Sequence, residues 1–461
     1  MSAANSRPSA GSLRGLDGIN LLMADVRDGV GPFLSVFLNG TEHWNAGAIG
    51  LAMGASSIAA AICQVPAGLL VDGTRAKRSL VIGSGLMVAL ACLLIVAFPG
   101  FWPVIAAQVL LGSASAVIPP AIAALSLGLV GRRLPDARIS RNEGFNHAGN
   151  LASAALAGGL GHYLGSRWIF YLVCGFAVAS AAIITRINPR EIDHQVARGG
   201  EDPSLAGAPV AFRDLLRRRD LAVFLVSVVL FHFGNAAMLP MAGQVLAQSH
   251  PGEDTVALSA CIIAAQFVMV GVAWGVGRAS AHGIGRVSAH GIGRASARGI
   301  GRASAHGIGR VSARGIGRKP IFLLALAVLP VRGVLFSLTT SPYAVVGIQL
   351  LDGIAAGIFG VISVLIASDL MRGTGRFNFA QGLMALAVGL GAALSNATAG
   401  YVVQWFGFTT GFLYLAAVAA MAGLFFAALM PETKVATADV AAETGAGDAM
   451  ATCATVRPEV A

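Results

Sequence analysis

The chain has 461 residues, 56% of them hydrophobic and only 12% charged, with a mean hydropathy of +0.73 and a formal net charge of +10. Soluble domains carry about 25% charged residues, so this composition excludes an ordinary water-soluble fold for most of the chain and points to lipid as its solvent. The positive balance does not argue for nucleic acid, because eight arginines and no acid fall within residues 277–318, leaving +2 for everything else.

Residues 1–15 form a polar start with Arg7 and Arg14. The first apolar run contains Asp25, Arg27 and Asp28 and lacks a small-residue cleavage site, so a removable signal peptide is not expected. A helix crossing about 30 Å of hydrocarbon needs roughly 20 mostly apolar residues. Spans are predicted at 17–39, 46–71, 79–99, 102–130, 143–164 and 166–186, then at 220–247, 255–276, 320–339, 342–370, 378–404 and 408–430. The expected fold class is all-α, a polytopic membrane protein of about twelve transmembrane helices in two pseudo-symmetric six-helix halves, 16–187 and 220–430.

Basic residues gather in alternate loops: Arg75, Lys77 and Arg78; Arg132, Arg133, Arg138 and Arg141; Arg213, Arg217, Arg218 and Arg219; Arg372 and Arg376. The intervening loops hold almost none, Arg167 being the exception. The positive-inside rule then places both termini and the linker, 188–219, in the cytoplasm of a multi-pass protein of the inner or plasma membrane.

Charges inside a membrane cost about 2.5–3.5 kcal/mol each on insertion scales, so they face the bundle interior or a wet cavity. In the first span Asp25 and Asp28 lie about 60° apart and Arg27 about 100° from Asp28, so one carboxylate can titrate while the other pairs with a base. Gly29, Gly31 and Pro32 follow and loosen the helix there. The residues fit a proton or substrate site, or an ion pair between helices. The fifth span opens with Asn142, Glu143, Asn146, His147 and Asn150 on one face, a stripe that suits either a cytoplasmic gate with Glu143 paired to a nearby arginine or direct solute contact. His147 is a candidate proton relay, histidine being the side chain type suited to that role. In the seventh span His232 and Asn235 precede Pro240, which can kink the helix. In the tenth, Gln349 and Asp352 sit deep in an apolar run, where Asp352 is either a coupling site or one side of a structural pair.

Between the eighth and ninth spans the octapeptide Gly-Arg-Ala/Val-Ser-Ala-His/Arg-Gly-Ile runs five times from Gly277 to Ile316. Two glycines per copy and one isoleucine cannot build a core, so flexible coil is expected. Its arginines suit anionic headgroups of the bilayer, and His282, His290 and His306 are too far apart for a metal site. Residues 431–461 read as a disordered cytoplasmic tail. Cys63, Cys92, Cys174 and Cys261 lie in apolar spans and Cys453 in the tail, without a paired motif, so neither disulfide nor metal is expected.

Two basic hinges stand at matching places in the halves: Gly68, Asp72, Arg75, Lys77 and Arg78 after the second span, and Gly317, Arg318 and Lys319 before the ninth. A second echo is Gln-x-x-x-Gly at Gln108 to Gly112 and at Gln349 to Gly353. Over residues 16–430 the chain resembles the major facilitator superfamily, in which Gly-x-x-x-Asp followed by basic residues links the second and third helices. It departs from the drug-exporting branch, holding Gln108 at that branch's arginine position, so the branch stays open. The second hinge lacks the Asp, so any cytoplasmic latch is expected to concentrate in the N-terminal half. The resemblance implies a cavity lined by the first, fourth, seventh and tenth helices, around Asp25, Asp28, Gln108, His232, Asn235, Gln349 and Asp352.

The function expected is secondary transport of a small organic solute by alternating access, with proton-coupled efflux first and proton-coupled import of an organic acid or similar metabolite second. A non-transporting membrane sensor is the reading from another class. No P-loop, GxSxG, HExxH or paired-cysteine motif stands in the chain, so an enzyme is not expected and no cofactor is implied. The expected partners are the solute, protons and the bilayer, and the protein is expected to be a monomer.

Overall fold

The computed structural model describes residues 8–28, 30–130, 135–194, 196–198, 217–281, 317–371 and 377–433, and among them every regular element is helical. The octapeptide array from residue 282, most of the linker (199–216) and the tail from residue 434 lie outside the described residues. Nine stretches are long and apolar enough to cross a membrane by length and composition, one of them being two helices merged across a turn. With that pair separated and the two charged helices at 10–41 and 135–164 added, the twelve predicted spans are all present.

The first span, α1, is discontinuous. It runs Ala10–Asp28, breaks, and restarts as Phe33–Val36 followed by a π-helical turn, Phe37–Thr41. The break falls where the sequence loosens the chain: Gly31 has φ +44, open to glycine but costly for other residues, and Pro32 follows without an N–H to give. Ser9 accepts from the Ser12 N–H at 3.2 Å and fixes a start seven residues before the predicted one. Helices α2 (Ala46–Gly73) and α3 (Lys77–Ala97) follow. Span α4 is broken as well, Phe101–Ser115 then Ile118–Val130, with Pro119 and Pro120 opening the second piece. Helix α5 (Pro135–Leu164) starts eight residues before its predicted bound, at a proline suited to a first turn. After α6 (Arg167–Ile183), short 3-10 turns carry the predicted linker back onto α4, where Asp193 N–H donates to Gly128 O at 2.9 Å and Ile192 and Ala197 are buried.

The second half repeats the plan. Span α7 is Arg219–Asn235 then Met238–Ser249, α8 is Asp254–Ala281, α9 is Arg318–Ser337 and α10 is Pro342–Leu370. The stretch Phe377–Leu429 turns at Gly407 (φ 81, ψ 169), giving α11 (377–406) and α12 (408–429). The turn between α5 and α6 uses Gly165 (φ +100) in the corresponding place. Helix α8 continues through Ala281, so the first five residues of the octapeptide array are helical rather than coil, since lengthening an existing helix is far easier than nucleating one.

Among the described residues the halves pack together from the far end to about mid-helix. Away from the basic hinges, α2 crosses α11 where Gly50 lies against the backbone of Asn396 and Gly400, and α5 crosses α8 where Gly158 and Gly161 lie against Ser259 and Thr255. Small residues allow this closeness, as in membrane helix pairs generally. Ser35 Oγ donates to Pro240 O at 2.9 Å, Gln248 Nε2 to Asn39 Oδ1 at 3.2 Å and His162 Nδ1 to Gly252 O at 2.7 Å across the same seam. Toward the hinge end of the same four helices, a Cβ at Gly68, Gly144, Gly271 or Gly382 would touch nothing within 4 Å. Among the described residues the halves are packed closely at the far end and more loosely toward the hinge end.

Candidate functional site

In the middle of the C-terminal half, four side chains from three helices form one polar cluster. Arg332 projects from α9 and is 1% exposed. Its Nη1 donates to Asp352 Oδ1 at 2.8 Å and to Asn235 Oδ1, and its Nη2 donates to Gln349 Oε1 at 2.8 Å. Gln349 Nε2 closes the ring by donating to Asp352 Oδ2 at 3.0 Å. The guanidinium also stands 5.2 Å from the Phe336 ring centroid. A charge buried in a lipid-immersed bundle demands such a set of partners, since leaving one unpaired is costly. Asp352 is 19% exposed, so the carboxylate is reachable while the arginine behind it is sealed. His232 lies one turn before Asn235, with its ring edge-on to Phe359 at 4.8 Å and its Nδ1 donating to Val228 O at 3.1 Å.

Three of these residues, Asn235, Gln349 and Asp352, were singled out from sequence. Arg332, which joins them, was not, although it is an ionisable residue inside the predicted span 320–339 and the same cost rule applies to it. The N-terminal candidates behave differently. Gln108 is 3% exposed and its Nε2 makes no hydrogen bond, so it does not join a matching cluster. Asp25 lies half-buried on α1 among further interactions. The side chains of Arg27 and Asp28 lie outside the described residues.

Among the described residues Glu143 has no ion pair. The partner of the arginines is Asp17 on α1, missed in the sequence: Arg138 Nη2 reaches Asp17 Oδ1 at 2.6 Å, and Arg141 spans both carboxylate oxygens at 2.8–3.1 Å. The reason is helical phase. Arg138 and Arg141 lie about 140° and 160° around α5 from Glu143, too far for one face, and so they turn to α1. Arg138 Nε also donates to Asn142 Oδ1 at 2.6 Å, and Asn142 Nδ2 to Ser126 Oγ at 2.8 Å, tying α1, α4 and α5 together. Glu143 and Asn146 instead line a cavity of 420 Å³ between these helices. His147, on the same stripe, crosses to the other half and donates from Nδ1 to Gln266 Oε1 at 3.1 Å. Asn150 is half-buried one turn further along.

The two hinges differ from expectation. Lys77 is fully buried and caps the end of α2, donating to Val71 O at 2.6 Å and Thr74 O at 3.3 Å, a favourable place for a cation at a helix C-terminus. Asp72 and Arg75 are exposed, Arg78 is half-buried, and Asp72 has no hydrogen bond or ion pair among the described residues. The second hinge, lacking an Asp in sequence, obtains carboxylates from afar. Arg318 is 3% exposed with its Nε 3.3 Å from Asp369 Oδ2, and Glu432, just past α12, accepts from the N–H groups of Arg318 at 2.7 Å and Lys319 at 3.1 Å. A Cβ at Gly317 would collide with the Glu432 carboxylate, whereas one at Gly68 would meet open space. Among the described residues the basic residues of the second hinge therefore meet carboxylates, although the latch is expected at the first.

The sequence matches the family model described as Major Facilitator Superfamily over residues 18–297 and 303–457. It is 41% identical over 426 residues to an uncharacterized MFS-type transporter of Mycobacterium tuberculosis, in strains CDC 1551 and H37Rv alike, with 91% of this chain and 93% of the relative covered. Among solved structures, nucleoside transporter NupG superposes with a TM-score of 0.63 at 13% identity, over 90% of this chain and 98% of NupG. An alanine-substituted variant of NupG superposes with a TM-score of 0.67, over 91% of this chain and 99% of the variant. At that identity the likeness is one of fold.

Proposed function

The chain belongs to the major facilitator superfamily of secondary transporters, and on that premise we propose that it exports a small organic solute in exchange for protons. Two six-helix units, 16–187 and 220–430, rock around a central site, in a cell membrane with both termini cytoplasmic. The solute and protons are its partners, and the transporter works as a monomer. In this reading the hinge end of the molecule faces the cytoplasm.

The observation that carries the reading is the Arg332–Asp352 pair. A carboxylate that is partly exposed, held by a sealed arginine and placed where a broken helix (α7) meets α10, can accept a proton. Protonation weakens its hold on Arg332 and frees Asn235 and Gln349 to rearrange. Discontinuous helices, α7 at the site and α1 and α4 in the other half, supply the local freedom that alternating access uses. The far-end seam, made of small residues and few hydrogen bonds, is of a kind that can part when the hinge end closes.

The test is solute-driven proton flux in vesicles with Asp352→Asn. Coupled acidification or alkalinisation is expected to vanish while the protein still inserts and binds solute. Unchanged coupling removes Asp352 from the mechanism. The sign of the proton movement relative to solute decides between export and import.

A further inference from the structure

We propose that the cavity between α1, α4 and α5 binds an amphipathic organic cation, its charge held by Glu143 and its apolar body lying on Ile122, Ala123, Leu127 and Val130. This rests on the transporter reading and names the class of its solute.

Size comes first. At 420 Å³ the cavity falls in the range of about 300–1,000 Å³ that accommodates small organic ligands. Its walls are mostly apolar, with Met23 and Ala24 from α1 and a run from Ile118 to Val130 from α4. The break at residues 116–117 sets that run at the start of a new helical segment, with Pro119 beside it. A flat or branched hydrocarbon body fits such walls, and burying it drives binding in proportion to apolar area.

The polar groups decide the charge. Arg138 faces the cavity but is committed, one nitrogen to Asp17 at 2.6 Å and another to Asn142 at 2.6 Å. The amide of Asn142 is spent on Ser126, and that of Asn20 on Leu16 O at 2.8 Å. Arg141 grips both oxygens of Asp17 and lies 5.2 Å from the Phe145 ring centroid. Among the described residues Glu143 alone of the ionised groups lining the cavity has neither ion pair nor hydrogen bond. The charge left over for a ligand is negative. A cation gains from both the walls and Glu143, a neutral isostere from the walls alone, and an anion of the same shape is repelled. Glu143 is exposed as well as lining the cavity, so its carboxylate is accessible to a solute.

The experiment is equilibrium binding of radiolabelled tetraphenylphosphonium to the purified full chain in lipid nanodiscs, without any proton gradient, against tetraphenylborate, which has the same shape and the opposite charge. The cation is expected to bind saturably and the borate at least about tenfold more weakly. Glu143→Gln should weaken the cation about tenfold and strengthen the borate, a gain that misfolding cannot produce. Ile122→Trp, which fills the cavity, should abolish cation binding, and Glu253→Gln, an exposed carboxylate at the far end, should leave it unchanged. Equal affinity for the two ions, or full cation affinity in Glu143→Gln or Ile122→Trp, overturns the proposal. Binding is read without a gradient, so its failure leaves coupling through Asp352 standing, while intact binding with uncoupled flux would overturn the coupling and keep the cavity.

Discussion

The two halves keep one register and place different chemistry in it. Gln108 lies thirty-one residues after Lys77, and Gln349 thirty-one after Arg318, and in each case the cation is buried at its hinge. Carried through, that register sets Arg332 opposite Ala91 and Asp352 opposite Leu111. Gln349 is consequently bonded on both sides of its amide, whereas the amide nitrogen of Gln108 has no partner. The N-terminal half puts its charge at the hinge end, in the Asp17, Arg138 and Arg141 group beside a cavity. A duplicated backbone thus offers two equivalent positions, and among the described residues only the C-terminal one holds a buried ion pair.

The strongest way to break this comparison is to write the N-terminal residues into the C-terminal half. Arg332→Ala alone leaves Asp352, Asn235 and Gln349 facing a vacancy, and removing one partner of a buried pair costs about 3–5 kcal/mol. Thermal unfolding in detergent should register a loss of that size. The double variant Arg332→Ala with Asp352→Leu removes both charges and matches Ala91 and Leu111, so it should recover much of the stability while losing coupled transport. Recovery of stability with normal coupling would mean that the cluster is structural.

A smaller effect sharpens the contrast between the hinges. Asp369→Ala takes the carboxylate from a buried arginine and is expected to cost about 1–3 kcal/mol. Asp72→Ala, exposed and without a partner here, should stay within about 0.5 kcal/mol in the same unfolding measurement. Equal losses would show that Asp72 is held in the conformation that dominates in detergent. Any slowing of transport by Asp72→Ala without loss of stability would place its work in the other conformation.

The spans were legible because hydrophobic length is a local property, and the break in α1 was legible because Gly31 and Pro32 announce it. The break in α4 carried a comparable signal in Pro119 and Pro120 that was passed over. What local pattern could not supply was which helices face one another. Asn235, Gln349 and Asp352 were named as separate candidates, but their joining depends on Arg332 reaching between α7 and α10. A nearby arginine is one of two readings for Glu143 in the sequence, and helical phase gives Arg138 and Arg141 to Asp17 instead. Glu432 lies over one hundred residues from the hinge it caps, a distance no motif spans.

The smallest expected effect concerns the counterparts Glu191 and Glu432, which the same register places opposite one another. Both follow the last helix of a half and both accept backbone N–H groups at a helix start, but Glu432 holds α9 whereas Glu191 holds α1, through Ser9 N–H at 2.9 Å and Ser9 Oγ at 3.1 Å. The Ser9 N–H keeps the Glu191 carboxyl below the usual carboxylate range. A carboxylate with a depressed folded pKa stabilises above its unfolded pKa, near about 4.3, and that contribution fades as pH falls through the lower folded value. The start of α1 should therefore stay protected in hydrogen exchange at neutral pH and loosen only below about pH 4. Glu191→Gln should loosen it at neutral pH too, by a few-fold in exchange rate, and leave α9 unaffected. Loosening of α1 between pH 5 and 7, where Glu191 stays ionised, would place the holding charge on another group.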